Sequence, residues 1–392
     1  MRHVISQAAL SGFFRGGRFE PPFCPNPACR HHWRPKTVDW WNHLHAYETR
    51  AFGRVPRYYC RSCGKTFSVQ TFRVDYYCKR VVDYRLLHHL SSESMSVRGL
   101  SRYLGVSPGC VINRSQRLGR QCIAMQNMCR PLIRGGEDVA IDGFASFDVS
   151  QYYPNNITLS VTGESLFVLE ASHVTMRRSG RMKEGQKARR EEQEKRWKAE
   201  RGGVSRSFRE VLDQLAVGYP RRPGEPLVIW TDEKVEYGRV FRTHDLYRNQ
   251  SEGRRCVHGT ISSREARTRL NPLFPCNYMD REIRKDQAAH RRETACHCRN
   301  VNNGMLRLWC YVGWHNYWKE YPIGAPAGER LTHAEWAGIN GLLLSWIRTH
   351  IYETRVFLSR VRLSACCERA WLLDHRTPLK AGHDYVPAYV AR

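Results

Sequence analysis

Two cysteine pairs constrain the fold of the N-terminal third more than any other feature of this chain. Cys24 and Cys29 form the first pair, and Cys60 and Cys63 stand in the stretch CRSCGKTF. Thiolates carried on two tight turns can meet at one point in the tetrahedral arrangement of a structural zinc ion. We therefore predict a zinc ribbon over residues 20–72, in which four thiolates leave no open position for catalysis.

The first cysteine pair is the less specific half of this motif. Four residues separate its cysteines, and His31 and His32 follow closely enough to replace Cys29 as a ligand. The chain has 15 cysteines, an odd count, and we find no export signal at its start, so we expect reduced thiols, some of them on metal. Residues 1–19 are predicted to be an N-terminal tail.

The charge of the chain is strongly positive. It carries 63 Lys and Arg against 37 Asp and Glu, a formal net charge of +26, and the first 134 residues hold 22 of the cations but only 6 of the acids. Such a field attracts polyanions, of which nucleic acid is the commonest; the ribosome and anionic membranes are the competing partners. Because no run of roughly 18 apolar residues is present, we expect a cytoplasmic, nucleoid-associated protein with double-stranded DNA as its partner and no membrane contact.

A helix-turn-helix is predicted within residues 73–130. In SMSVRGLSRYLGVSPGCVINRSQRLGRQC, the turn GVSP separates two amphipathic runs, and the second helix begins at Pro108. Residues 75–90 would form a supporting helix. Any helical hairpin in a bundle gives a similar pattern, but the surrounding charge favours a second helix that enters the major groove. The cations predicted to contact DNA here are Arg98, Arg102, Arg114, Arg117 and Arg120.

Residues 135–325 show the pattern of an α/β domain. β-branched and aromatic residues predict successive strands, then an amphipathic helix and another strand. This order of elements is typical of an RNase H-like fold. The predicted strands are 137–147, 156–165, 165–175 and 227–230, the helix is 205–217, and 177–203 is a basic, solvated insertion. Residues 326–392 form a C-terminal extension to which the sequence assigns no role.

Two acids occupy notable places on these strands. Alternation puts Asp142 on the strand face that carries Ala140 and Phe144, where a carboxylate is costly unless it is paired or binds metal. Asp232 lies just past the apolar run of the fourth strand. Carboxylates that converge from neighbouring strands can hold two Mg²⁺ or Mn²⁺ ions for phosphodiester chemistry.

A third acid is expected in the stretch NYMDREIRKDQAAHRRET. At about 100° per residue, a helix places Arg284 and Arg291 near the face of Asp280. The other acids, Glu282, Asp286 and Glu293, turn away from that face and are expected to offset cations on the outer faces of the helix.

Together these residues resemble the bacterial insertion-sequence transposases of the DDE class, over residues 20–325. The resemblance rests on CxxCGKTFS, the helix-turn-helix, AIDGF, IWTDEKVEYG and NYMDREIRKD. In that family three acids bind two magnesium ions on an RNase H-like fold, and the third lies on a helix in an Asn-x-x-(Glu/Asp)-Arg context. This carries the catalytic roles onto Asp142, Asp232 and Asp280, although the family more often has Glu as the third acid. Glu282 therefore remains an alternative third acid, in a different register of the helix.

The resemblance implies a DNA transposase that cuts and joins DNA at the ends of its element. Lys234, Arg284 and Arg291 would hold DNA phosphates beside the ions, and bringing two ends together suggests a homo-oligomer. Two rival functions remain open at this point. One is a domesticated DNA-binding regulator with a silent catalytic fold, and the other is a structure-specific nuclease on the same fold.

Overall fold

The computed structural model describes residues 14–15, 18–35, 39–251, 253–292, 297–322, 324, 326 and 328–391. The predicted role of Glu293 falls outside the described residues, as does Cys296, and so does most of the predicted tail. Within the described residues the cysteines are free thiols. No helix in these ranges is both long and apolar enough to cross a bilayer.

The N-terminal region is built around a small antiparallel sheet. Its strands follow the order β3-β4-β5, and a short hairpin precedes them. Aromatic rings fill its core, where Trp40 stacks on Phe67 with centroids 5.7 Å apart. The elements are β1 (Phe14–Arg15), β2 (Arg18–Phe19), α1 (Arg30–Trp33), β3 (Trp41–Thr49), β4 (Gly53–Cys60) and β5 (Thr66–Ser68).

Three helices follow: α2 (Tyr84–Ser92), α3 (Val97–Leu104) and α4 (Pro108–Cys129). The predicted turn and the start of α4 at Pro108 are confirmed, because Ser107 caps that helix by accepting from the Cys110 amide. Gly105 ends α3 in the left-handed conformation, φ 63°. The predicted supporting helix over 75–90 is wrong in its first half, because Asp83 caps α2 and the residues before it are not helical.

A five-stranded mixed sheet forms the centre of the protein. Its order is β10-β9-β6-β7-β8; β7 is antiparallel to its neighbours, whereas β9 runs parallel to both β6 and β10. The four predicted strands are confirmed with different boundaries: the first three are shorter than predicted and the fourth is two residues longer. The last strand of the sheet was not predicted. The strands are β6 (Val139–Phe144), β7 (Asn155–Thr162), β8 (Val168–Thr175), β9 (Leu227–Asp232) and β10 (Cys256–Ile261).

Helices cover both faces of this sheet, and the sheet separates two hydrophobic cores. Val139 and Ile141 of β6 pack in the cluster that includes Phe208 of α6, whereas Ala140 and Phe144 pack in the cluster that includes residues of α9 and α10. The predicted alternation along β6 is therefore confirmed. The helices are α5 (Glu184–Arg196), which buries no residue, α6 (Gly203–Gly218), α7 (Val235–Thr243), α8 (Asp245–Arg248), α9 (Phe274–Asp286) and α10 (Val301–Tyr317).

The C-terminal extension packs against every other region. Leu344 joins the core shared by α2, α3 and α4, Trp371 joins the core beneath α10, and Phe357 joins the core of the N-terminal sheet. Main-chain hydrogen bonds fix it there: the Val74 amide donates to the Glu353 carbonyl over 3.0 Å. Its elements are β12 (Leu331–Thr332), α11 (His333–Trp336), α12 (Gly341–His350) and α13 (Ala365–Trp371), and β12 pairs with β11 (Glu320–Tyr321), which precedes the extension.

Candidate functional site

The four predicted zinc ligands come together in the N-terminal sheet region. The sulfur atoms of Cys24, Cys29, Cys60 and Cys63 all lie within 4.8 Å of one another. Two of the separations are 3.6 Å, Cys24 to Cys63, and 3.7 Å, Cys29 to Cys60. Four sulfurs arranged tetrahedrally at a zinc bond length of about 2.3 Å are separated by about 3.8 Å, so the thiols fit a structural metal such as zinc.

The two histidines considered as alternative ligands have other roles. His32 Nδ1 lies 2.7 Å from the Cys24 carbonyl oxygen, and its Nε2 lies 2.9 Å from Ser359 Oγ of the C-terminal extension. The His31 ring stacks on Trp40 with centroids 5.6 Å apart. Cys29 therefore completes the thiol cluster, while His32 ties that cluster to the C-terminal extension.

Two predicted acids occupy equivalent positions on neighbouring parallel strands. Ala140 of β6 pairs with Trp230 of β9 in the last pair that joins the two strands, and Asp142 and Asp232 each lie two residues beyond it. Paired strands lie about 4.8 Å apart, so these side chains leave the same face of the sheet close together. Burial first, and then the charge of Asp232, raise the pKa of Asp142.

Hydrogen bonds orient both carboxylates. Asp142 Oδ1 accepts from the Gly143 amide over 2.6 Å, and Asp232 Oδ1 accepts from the Lys234 amide over 3.1 Å. Lys234 Nζ also lies 3.8 Å from Asp232 Oδ2. The Asp232 carboxylate is thus held at the start of α7 beside one of the predicted phosphate-binding cations.

The third predicted acid approaches from the helix that covers this face. Asp280 lies on α9, which packs against β6 and β7. Burial and the charge of Asp142 raise the pKa of Asp280 to about 7, and Arg284, Arg292 and Lys234 only partly offset this rise. Asp142 is therefore close enough to interact electrostatically with both Asp232 and Asp280.

The donor set fits hard divalent cations. Carboxylates from a strand, a neighbouring strand and a helix supply only oxygen, the ligand type that Mg²⁺ and Mn²⁺ prefer. Among the described residues only the four thiols form a group within 4.8 Å, so the three carboxylates are spread more widely.

The alternative third acid is engaged elsewhere. Glu282 is buried and forms a close ion pair with Lys319 and a second with Lys285 at 3.1 Å. Burial acts to raise the pKa of Glu282, but Lys319 and Lys285 lower it overall. In the structure, therefore, Asp280 rather than Glu282 faces the strand acids.

The prediction that Glu282 and Asp286 lie on outer faces of the helix is wrong. Like Glu282, Asp286 is buried, and it accepts a hydrogen bond from the Tyr311 hydroxyl of α10 over 2.9 Å. A helix angle alone cannot show this, because α9 packs on β6 and β7 and also contacts Tyr311 and Lys319, so more than one of its faces is buried.

The predicted cation stripe along α9 is only partly correct. Arg284 lies on the helix, with its guanidinium 5.0 Å from the centre of the Phe144 ring. The helix ends at Asp286, and Arg291 lies beyond it, donating to the carbonyls of Arg284 and Lys285 over 2.9 and 2.8 Å. Arg292 rather than Arg291 is the neighbour that lowers the pKa of Asp280.

Three arginines predicted to contact DNA are buried inside the protein. Arg114, Arg117 and Arg120 are only 5%, 8% and 6% exposed. They donate to the carbonyls of Arg80, Val74 and Trp371 respectively, over 2.8 to 3.0 Å. Their assignment to DNA is wrong, because neighbouring main chain and the C-terminal extension cover α4 beyond its first turns.

The exposed predicted cations of this region are Arg98 and Arg102 on α3. They stand beside the turn that leads into the first residues of α4, which are also exposed. This end of the helical pair is therefore the part that remains open to a polyanion.

Several residues near the acids were missed by sequence reasoning. Arg267 lowers the pKa of Asp142, and the buried hydroxyl of Tyr237 has its pKa raised first by burial and then by Asp142 and Asp232. Gly143 is required by crowding, since a Cβ there would lie 2.0 Å from Asn156 Oδ1. The Asp-Gly pair inside a strand was the one visible signal; Arg267 comes from a distant loop and gave none.

Comparison of the sequence with protein-family models and with curated proteins finds no match in either case. The function must therefore be inferred from the residues of the site and their arrangement.

Proposed function

We propose that this protein is a DDE-type transposase that cuts and joins DNA at the ends of its own element with two divalent ions. The observation that carries the proposal is the placement of Asp142 and Asp232 at equivalent positions of adjacent parallel strands, faced by Asp280 from α9. Few structural roles require three acids on one partly buried surface, because like charges there repel one another.

The strand order supports the choice of fold family. Three consecutive antiparallel strands are followed by two that extend the sheet from the first strand, in the order β10-β9-β6-β7-β8. This is the arrangement expected of an RNase H-like domain, in which the first and fourth strands carry the acids. The long helix α6 lies on the face opposite the acids, so it leaves the carboxylates open to α9.

Each residue has a defined task in this proposal. Asp142, Asp232 and Asp280 hold the ions through carboxylate oxygens. Bound divalent ions supply activation of the attacking oxygen and stabilisation of the leaving oxygen in an in-line displacement. Lys234 and Arg284 hold phosphate oxygens of the DNA beside the carboxylates, and they offset the charge of the acids when no ion is bound.

The remaining regions supply DNA recognition. Arg98 and Arg102, with the exposed start of α4, face the major groove of the element's ends, and the zinc ribbon adds a second contact. Two ends must be held together for joining, so we expect at least a dimer on DNA.

Strand cleavage of DNA that carries the inverted repeats flanking the gene tests this proposal. The wild-type protein should cut these ends with Mg²⁺ or Mn²⁺, whereas Asp142→Ala, Asp232→Ala and Asp280→Ala should each reduce cleavage by at least about a thousandfold, the scale of an essential electrostatic group. Glu236→Ala, which removes an exposed acid from α7, serves as the matched control and should cut normally.

Two outcomes would overturn the proposal. Full cleavage by all three folded variants would show that the acids are not the catalytic centre. Tight binding of the ends without cleavage by the wild-type protein, and without any divalent-ion site beyond zinc, would instead identify a DNA-binding regulator.

A further inference from the structure

A large groove lies away from the carboxylates, between the zinc ribbon and the C-terminal extension. It has a volume of about 680 Å³. One wall comes from β4, β5 and the residues after them, and the other from residues 355–357 and 385–389. The role of the C-terminal extension, which the sequence did not indicate, is therefore partly to build this groove.

Aromatic rings dominate the groove. Tyr76 and Tyr77 lie against each other with centroids 4.1 Å apart, and Tyr389 meets both rings, at 5.8 and 6.1 Å. Tyr77 and Tyr385 are 72% and 83% exposed, so their faces are open to a ligand. Exposed rings at this density are unusual on a protein surface, where large apolar groups are normally scattered singly.

The charges of the groove all have one sign. Its cations are Arg57, Lys65 and Arg355, and no Asp or Glu is among the described residues that line it. Arg355 lies over the rings of Phe357 and Tyr389, 4.1 and 5.3 Å from their centroids. Arg57 and Lys65 stand on the opposite wall, where they can meet phosphates while the rings meet bases.

The backbone at Tyr77 points to a ligand as well. Its φ is 61°, in the left-handed region that L-residues rarely adopt, and the side chain is exposed rather than packed in a core. Such a conformation costs free energy, which the contacts of the ring with Tyr76 and Tyr389 offset only at the edge of the groove, and strained positions of this kind concentrate at functional sites. Here the conformation holds the Tyr77 ring against Tyr76 at the edge of the groove.

We infer that this groove binds a short segment of unpaired DNA strand, with bases stacked on Tyr77 and Tyr385 and phosphates held by Arg57 and Lys65. Rows of aromatic faces beside cations are the usual means of binding single strands, because every base offers a face for stacking. A duplex hides those faces between its base pairs and would meet only the cations. The inference shares the DNA partner with the proposed function but does not depend on the carboxylate site.

Fluorescence anisotropy with the zinc-loaded full chain, without magnesium, tests the inference. The probes are a labelled oligo-dT of about ten nucleotides, within the usual site size of a stacking groove, and a duplex of the same length. The variants are Tyr77→Gly, which removes the ring and relieves the backbone, and Tyr385→Ala. Each should weaken oligo-dT binding roughly 5- to 150-fold, the range for one lost stack, and leave duplex binding within about twofold.

Two controls separate stacking from folding. Tyr77→Phe and Tyr385→Phe keep the rings and should bind oligo-dT like the wild type, as should Trp346→Ala, which removes an exposed ring outside the groove. Absence of oligo-dT binding by the wild type, unchanged binding by the ring-deleting variants, or an equal loss of duplex binding would each overturn the inference. Asp142→Ala should bind oligo-dT normally, so a failure of the proposed cleavage chemistry would leave this result unaffected.

Discussion

The substitution Asp280→Asn should stabilise the metal-free protein at alkaline pH. Burial and the neighbouring charge of Asp142 raise the pKa of Asp280 from 3.8 to about 7. Between these values the folded state holds a proton that the unfolded state has lost, so the free energy of unfolding falls as pH rises and stays low above pH 7. Asn has the same shape and no charge, and it removes this penalty.

The size of the effect follows from the shift. About 1.4 kcal/mol for each pKa unit gives an upper bound of about 4 kcal/mol. The Asp280 side chain is partly exposed, and solvent screens part of the interaction, so we expect about 2 kcal/mol at pH 8. For a domain of the size of the sheet region this corresponds to roughly 4–8 °C in melting temperature.

Thermal melting of zinc-loaded protein at pH 5 and pH 8 measures this difference. The variant should melt several degrees above the wild type at pH 8 in the absence of magnesium, and the gap should narrow at pH 5. Added Mg²⁺ should raise the melting temperature of the wild type at pH 8 more than that of the variant, because the ion neutralises the carboxylate that the variant lacks. An identical pH dependence of the two proteins would refute the assignment of a strained carboxylate cluster.

Five further substitutions test other parts of the structure. Glu282→Gln should keep strand cleavage but lose about 1–3 kcal/mol of stability in chemical unfolding, because Lys319 then lacks its charged partner; loss of cleavage in a stably folded variant would restore the alternative register. Cys60→Ser should lose zinc on metal analysis, whereas Cys78→Ser, outside the thiol cluster, should retain it. Arg117→Ala should lower the free energy of unfolding by about 2–4 kcal/mol, because its buried hydrogen bonds are lost. Arg98→Ala should leave stability unchanged and should reduce by about one the slope of the logarithm of the DNA-binding constant against the logarithm of the salt concentration.

Local patterns accounted for the elements that carry the acids. The alternation in VAIDGF placed Asp142 correctly, because the side chains of a strand leave opposite faces whatever the strand packs against. The start of α4 followed from the Ser-Pro pair, since a serine cap and a proline in the first turn are local features.

Features that depend on distant packing were not predicted. The arginines along α4 match the composition of a DNA-facing helix. Arg117 and Arg120 nevertheless donate to the carbonyls of Val74 and Trp371, which lie far from them in the sequence. The burial of Glu282 likewise depends on Lys319, which lies 37 residues further along the chain. No periodicity within one helix reveals such partners.

Loop residues near the acids were equally hidden. The helix carrying Asp280 ends at Asp286, so the direction of Arg291 and Arg292 depends on the turn that follows rather than on helical angles. The groove beside the N-terminal sheet unites residues from positions 25 to 389, and only the folded chain brings its rings together.

The most direct test of the two-metal proposal is a change of ligand chemistry at Asp142. A thiolate in place of the carboxylate binds Mg²⁺ poorly and Mn²⁺ better, because it is the softer ligand. We therefore expect Asp142→Cys to lose cleavage of the element's ends in Mg²⁺ and to regain a measurable part of it in Mn²⁺, while the wild type cuts in both. If Mn²⁺ and Mg²⁺ support cleavage by the variant in the same ratio as by the wild type, Asp142 does not bind the catalytic metal.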